Sequence, residues 1–174
     1  MLKKILITGS SGFIGEELVN KLKNNKEVLL YLLINKKKNI KDLKNINFIY
    51  CSLTNSKRLK KLLNKIEITD IIHCAWAGVN AKSRNNFKQK INEEMTNNLL
   101  NSINHKKIAS FIALGSQAEY GSKLNRIYEN SKARPITKYG KIKIKILKKI
   151  QIFCKKKKHK IYMVKNFYRV WRQK

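Results

Sequence analysis

Short apolar runs and helix-spaced stretches take turns along the chain from its first residues. KILIT (4–8) is a short apolar strand, and SGFIGEELVNKLKNN after it carries apolar residues at 14, 18, 19 and 22, the spacing of one helical face. EVLLYLLI (27–34) is apolar on both faces, as an interior parallel strand covered on each side must be. INFIYC (46–51) predicts a third strand, SKRLKKLLNKI (56–66) a helix capped by Ser56, and DIIHCA (70–75) a fourth strand. A helical stretch follows over about 86–104, then a fifth strand in ASFIALG (109–115). A loop with the only proline, Pro135, leads to a basic helix over about 137–157, and KIYMVK (160–165) predicts a sixth strand.

Strand and helix in rotation argue for an α/β fold: a doubly wound parallel sheet of about six strands, joined by right-handed crossovers, as one domain over 1–174. No internal repeat or linker interrupts it. In such a sheet the loop from the first strand to the first helix lies at the carboxyl ends of the strands. Backbone N–H groups and the positive end of a helix dipole are available there for a pyrophosphate.

That loop reads TGSSGFIG, with Gly9, Gly12 and Gly15 spaced G-x-x-G-x-x-G rather than G-x-G-x-x-G. A Cβ at these positions would block the tight turn, the ligand's approach or the packing of helix on strand. A plain tight turn is the competing reading, and it loses ground because a strand precedes the loop and a helix follows it.

Four further stretches occur in order behind it: SLTN (52–55), IIHCAWAG (71–78), GSQAEYG (115–121) and YGKIK (139–143). On these five motifs nearly the whole chain resembles the extended short-chain dehydrogenase/reductase family, the nucleotide-sugar epimerases, dehydratases and reductases. The resemblance implies a Rossmann domain that binds NADP or NAD. It implies contacts to the cofactor from Gly9, Ser11, Gly12, Phe13, Ile14, Gly15, Asn35, Lys36, Ser52, Leu53, Ala75, Tyr139 and Lys143. The second strand ends in Asn35 followed by Lys36, Lys37 and Lys38, where an acidic residue would hold ribose hydroxyls; the lysines lean toward NADP, although they also suit a solvated turn. Ser52 stands where the family usually has an Asp that contacts adenine, which weakens nucleotide affinity.

The resemblance also implies a catalytic set of Ser116, Tyr139 and Lys143. Tyr139 and Lys143 lie four apart and so share one helix face. A tyrosine of reference pKa about 10 is a poor base near neutrality, and a neighbouring ammonium favours its phenolate. By resemblance Tyr139 is the acid/base, Lys143 also holds the nicotinamide ribose, and Ser116 bonds the reacting oxygen of the substrate. Glu119 is at most a second acid, His73 a satisfied core histidine, and Asn92 a residue that fixes backbone. Trp76 and Arg84 line the substrate mouth.

Composition adds one question and removes several. With 40 Lys and Arg against 10 Asp and Glu, the net charge is +30, which ordinarily suggests a polyanion partner. Only 6 of the 40 are Arg, and 34 Lys, 20 Asn and 23 Ile share A/T-rich codons, so coding bias explains the charge better than nucleic-acid binding. No aromatic residues interleave with the basic runs as stacking platforms. Cys51, Cys74 and Cys154 stand far apart and make no metal spacing, which predicts buried thiols in a reducing compartment and no metal site. VLLYLLI, the longest apolar run, is too short for a membrane span, and MLKKILITGS lacks a signal-peptide pattern, so a cytoplasmic protein is expected.

After Lys165 and Phe167 the likeness dissolves into RVWRQK, and the chain is expected to stop short of a substrate domain. Three readings follow: the NAD(P)-binding half of a nucleotide-sugar enzyme with little activity alone, a non-catalytic remnant or scaffold, and a basic polyanion binder. The second would be active only if a separate chain supplied the other half; the expected partners are a nucleotide-sugar substrate if the enzyme is completed, and a homodimer or such a complementing chain.

Overall fold

Each expected strand forms in the computed structural model, which describes residues 2–35, 44–104, 107–122, 127–128, 130–157 and 160–166. The strands are β1 (Lys3–Thr8), β2 (Val28–Ile34), β3 (Ile46–Tyr50), β4 (Asp70–His73), β5 (Ser110–Ser116) and β6 (Lys160–Asn166). They make one sheet in the order β3-β2-β1-β4-β5-β6, parallel at every pairing. The order reverses between β1 and β4, and a doubly wound sheet opens its ligand crevice at that reversal. The doubly wound reading of the alternating pattern is therefore correct.

The helices are α1 (Phe13–Leu22), α2 (Ser56–Leu63), α3 (Lys90–Ser102) and α4 (Lys138–Lys157). Leu18, Val19 and Leu22 of α1 cover one sheet face, against Ile5, Ile7, Leu30, Leu32 and Ile72. On the other face α2, α3 and α4 bury Leu59, Leu63, Leu99, Ile146, Leu147 and Ile150 against Leu6, Ile71 and Phe111. β1 and β2 are buried on both faces, as a run without polar alternation requires.

Two helix boundaries differ from expectation. Ser56 is the first residue of α2 rather than its cap. Asn55 caps instead, its Oδ1 accepting from the Arg58 N–H at 3.1 Å, and the helix ends at Leu63. The stretch from 86 does not enter α3 directly. Asn86 Oδ1 takes the Lys88 N–H at 2.8 Å, which holds a 3-10 turn (Phe87–Gln89) before α3 begins at Lys90.

Candidate cofactor and catalytic site

A cleft of about 680 Å³ opens at the carboxyl ends of the strands. Ten of the expected cofactor residues line it: Gly9, Ser11, Gly12, Phe13, Ile14, Gly15, Asn35, Ser52, Leu53 and Ala75. Lys36, with the other two lysines that carried the lean to NADP, falls outside the described residues. Tyr139 and Lys143 meet the cleft through Trp76, which lines it.

The three glycines do different work. Gly9 has φ +71°, and a Cβ there would lie 2.6 Å from the Ala75 nitrogen, so it serves both the left-handed turn and the approach of β1 to β4. At Gly15 a Cβ would fall 2.1 Å from the Gly9 carbonyl oxygen, so the close packing of helix on loop requires glycine there. Gly12 is different. Its φ of −90° suits any residue, and a Cβ would meet only Gly9 O, at 3.4 Å. The space above Gly12 belongs to the cleft. The first intrahelical bond is Glu16 N to Gly12 O (2.8 Å), so the N–H groups of Phe13, Ile14 and Gly15 precede the helical ladder and remain available to an anion. A backbone cradle open at Gly12 and set on a helix N-terminus fits a dinucleotide pyrophosphate.

At the far end of the cleft the Ser52 hydroxyl is engaged locally, 2.8 Å from Thr54 Oγ1 and accepting from the Thr54 N–H at 3.2 Å. Asn35 is exposed at the end of β2.

The catalytic candidates come from three elements. Tyr139 and Lys143 share a face of α4, with Lys143 Nζ 5.9 Å from the Tyr139 ring centroid. Ser116 ends β5, and α4 begins against the 3-10 turn Gln117–Glu119 that follows it. Lys143 is buried, donates to Leu114 O at 2.8 Å and lies 3.8 Å from the centroid of the Trp76 indole. Burial pulls its ammonium down to about 8 from its usual range, while the charge of Glu119 and, more weakly, Cys74 oppose that fall. Trp76 also stands edge-on to Tyr139 at 5.3 Å, and the Arg84 guanidinium lies 5.8 Å from the Tyr139 ring. Trp76 and Arg84 therefore adjoin the tyrosine, where the sequence placed them on the substrate mouth.

Behind the cleft wall, His73 is held on both ring nitrogens. Thr8 Oγ1 lies 2.7 Å from Nδ1 and Thr96 Oγ1 3.1 Å from Nε2. Thr96 gives its proton to Asn92 O (2.9 Å), so it accepts from Nε2–H; Thr8 accepts from the Ala75 N–H (3.3 Å) and gives its proton to Nδ1. The imidazole is neutral, and burial pushes its pKa down to about 3. His73 is a satisfied core histidine, as expected. Asn92 fixes backbone, also as expected, accepting from Ala77 N at 2.7 Å and donating to Ala77 O at 3.0 Å.

Two residues that the sequence reading did not weigh as positioning groups matter here. Gln89 accepts from Trp76 Nε1 (3.0 Å) and donates to Gly78 O (2.7 Å) and Ser83 O (3.1 Å), pinning the loop after β4. Its burial beside Asn92, at the residue immediately before α3, was the only signal, and that signal is tertiary. Glu119, weighed only as a second acid, is buried with Oε1 accepting from the Ser116 N–H at 2.6 Å.

A parallel sheet with a glycine cradle at its reversal point, and a tyrosine and lysine on a helix beside it, defines a dinucleotide-binding α/β protein. The sequence agrees with a more particular assignment: residues 5–168 match the NAD dependent epimerase/dehydratase family, and the chain belongs to that family. It is 29% identical over 156 residues to an uncharacterized UDP-glucose epimerase of Bacillus subtilis, covering 81% of this chain and 48% of that one. Among solved structures it resembles the UDP-Glc/GlcNAc 4-epimerase of Campylobacter jejuni, with TM-score 0.83, 22% identity, and coverage of 95% of this chain and 53% of that chain. A UDP-glucuronic acid 4-epimerase of Bacillus cereus, solved with UDP-glucuronic acid and NAD, gives TM-score 0.76 at 26% identity, over 92% of this chain and 55% of that one. The chain thus spans about half the length of these relatives. Among the described residues no helix is long and apolar enough to cross a membrane.

Proposed function

We propose that this chain is the cofactor-binding domain of a nucleotide-sugar epimerase, dehydratase or reductase, with Ser116, Tyr139 and Lys143 as its proton-transfer set. The observation that carries the reading is the cleft in which Gly12 faces open space while Gly9 and Gly15 are held by contacts inside the protein. NAD(P), when bound, supplies the hydride acceptor. The residues of the chain do the rest. Phe13, Ile14 and Gly15 offer N–H groups to the phosphates, and Trp76 lines the cleft edge-on to Tyr139. Tyr139, held as phenolate at lower cost by the nearby ammonium of Lys143, takes the proton of a substrate hydroxyl as hydride leaves the carbon for the cofactor, and ends as the neutral phenol. Ser116 holds the reacting oxygen. The relatives solved with NAD support that cofactor, while Lys36–Lys38 are the sole argument for the 2′-phosphate form.

A second reading is nucleotide binding without turnover. It applies to this stretch taken by itself, which spans about half of each relative. Titration of the purified chain with NADH and NADPH, followed by cofactor fluorescence, tests the common part of both readings. Saturable binding that Gly12→Asp abolishes is expected, because the carboxylate fills the phosphate space. No binding at millimolar cofactor would overturn the proposal. Turnover of UDP-glucose by this chain alone would remove the second reading.

A further inference from the structure

Among the groups around the tyrosine and lysine, one buried carboxylate has no part in the proton-transfer set. Glu119 is 5% exposed, on the 3-10 turn after β5. Its Oε1 accepts from the Ser116 N–H at 2.6 Å, while Ser116 Oγ accepts from the Ala118 N–H at 3.2 Å. This reciprocal cap closes the turn and fixes the backbone from which the serine hydroxyl projects. A neutral glutamine could accept the same hydrogen bond, so the cap alone does not call for a buried charge. A second demand exists next to it. Lys143 is 7% exposed, and an ammonium at such a site is costly unless an anion faces it.

The ionisable groups around Lys143 narrow the choice. From the end of β4 comes His73, neutral because burial holds it near 3, and from the residue after it Cys74, a thiol that burial holds near 11. From its own helix comes Tyr139, whose ring is 5.9 Å from Nζ. Arg84, 5.8 Å from the centroid of that ring, is a cation. Near pH 8, where the ammonium titrates, the thiol is still protonated. Glu119 Oε1 on the Ser116 N–H and Lys143 Nζ on the Leu114 carbonyl occupy backbone groups two residues apart on β5, which face the same edge of the strand and bring this buried carboxylate beside the buried ammonium.

We propose that Glu119 is a positioning residue with two attachments: it locks the Ser116 backbone and serves as the buried counter-ion that keeps Lys143 cationic beside Tyr139. The proposal rests on the reading of Lys143 as a member of the proton-transfer set for its purpose, though not for its test. The ammonium lies 3.8 Å from the centroid of the Trp76 indole, so loss of its charge changes Trp76 emission. The chain has two tryptophans, and Trp171→Phe leaves Trp76 as the sole emitter.

In that background we expect Trp76 fluorescence to titrate with a midpoint near 8, and Lys143→Met to abolish the transition. Glu119→Gln keeps the acceptor for Ser116 and removes the charge, so the midpoint falls by about one pH unit. An unchanged midpoint in a folded Glu119→Gln protein overturns the proposal. If that variant fails to fold, Lys143→Met tests the pair from the other side. Without the ammonium the buried carboxylate has a raised pKa, so the melting temperature of Lys143→Met, taken relative to the unsubstituted chain at each pH so that the His73 contribution cancels, falls as pH rises from 5 to 8. A melting-temperature difference from the unsubstituted chain that stays constant over that range overturns the proposal as well. Neither readout requires cofactor, so failure of NADH binding and failure of the counter-ion are separate results.

Discussion

The two ends of the cleft are built from different material. The phosphate end is backbone: Gly9 turns against Ala75, Gly15 lies against the Gly9 carbonyl, and the helix offers its first N–H groups. The tyrosine end is side chain on side chain, with Lys143 between Leu114 O and Trp76, Trp76 edge-on to Tyr139 and tied to Gln89, and Glu119 on the Ser116 N–H. The first end tolerates almost no added atom at two of its positions, whereas the second is held by a network whose members have several partners. A backbone site is specified by what must be missing; a side-chain site is specified by what must meet.

The sharpest way to break this contrast is a pair of single methyl groups. Gly15→Ala drives a Cβ into Gly9 O, and overpacking against backbone costs about 3 kcal/mol or more, so a fall of roughly 10 °C or greater in melting temperature is expected. Gly12→Ala should leave the melting temperature within a few degrees and weaken NADH binding instead. If both variants melt alike, the division of labour among the glycines is wrong.

A smaller effect is expected from acid. His73 is neutral with a folded pKa near 3, below its unfolded value of about 6.5, so the unfolded chain binds the extra proton below pH 6.5. Stability should therefore be full above about 6.5 and fall by about 1.4 kcal/mol for each pH unit below it, until the folded state itself titrates. Urea denaturation at pH 7 and pH 5 measures the loss, and its absence in His73→Phe would assign it to this residue. The smallest effect is at the loop. Gln89→Ala removes the bonds to Trp76, Gly78 and Ser83, costs about 1–2 kcal/mol, and should raise the rate of proteolytic cleavage within residues 77–84 while Gly12-dependent phosphate contacts persist.

How much of this could be read from the sequence follows the same division. The six strands and the parallel order were legible because β1, β2 and β5 are apolar runs separated by helical spacing, and the cradle because glycines record forbidden volume directly. The sharing of one face by Tyr139 and Lys143 was also legible, since a spacing of four on a helix is local. The anchoring roles of Gln89 and Glu119 were not. Gln89 acts on residues six to thirteen positions away through a fold that no periodicity encodes, and a glutamate in GSQAEYG looks the same whether it faces water or Lys143. The cap on α2 was missed by one position because Asn and Ser are both good caps and only the Asn55 to Arg58 bond decides between them.

The contacts that fix Gly9 and Gly15 lie wholly within the protein, so the cradle reaches its final shape when β1 docks beside β4 and α1 closes on the loop. Its ordering entropy is thus spent during folding rather than at encounter. A pyrophosphate arriving there meets a rigid receptor, and its capture should run close to the rate of diffusion, with little loop rearrangement to slow it.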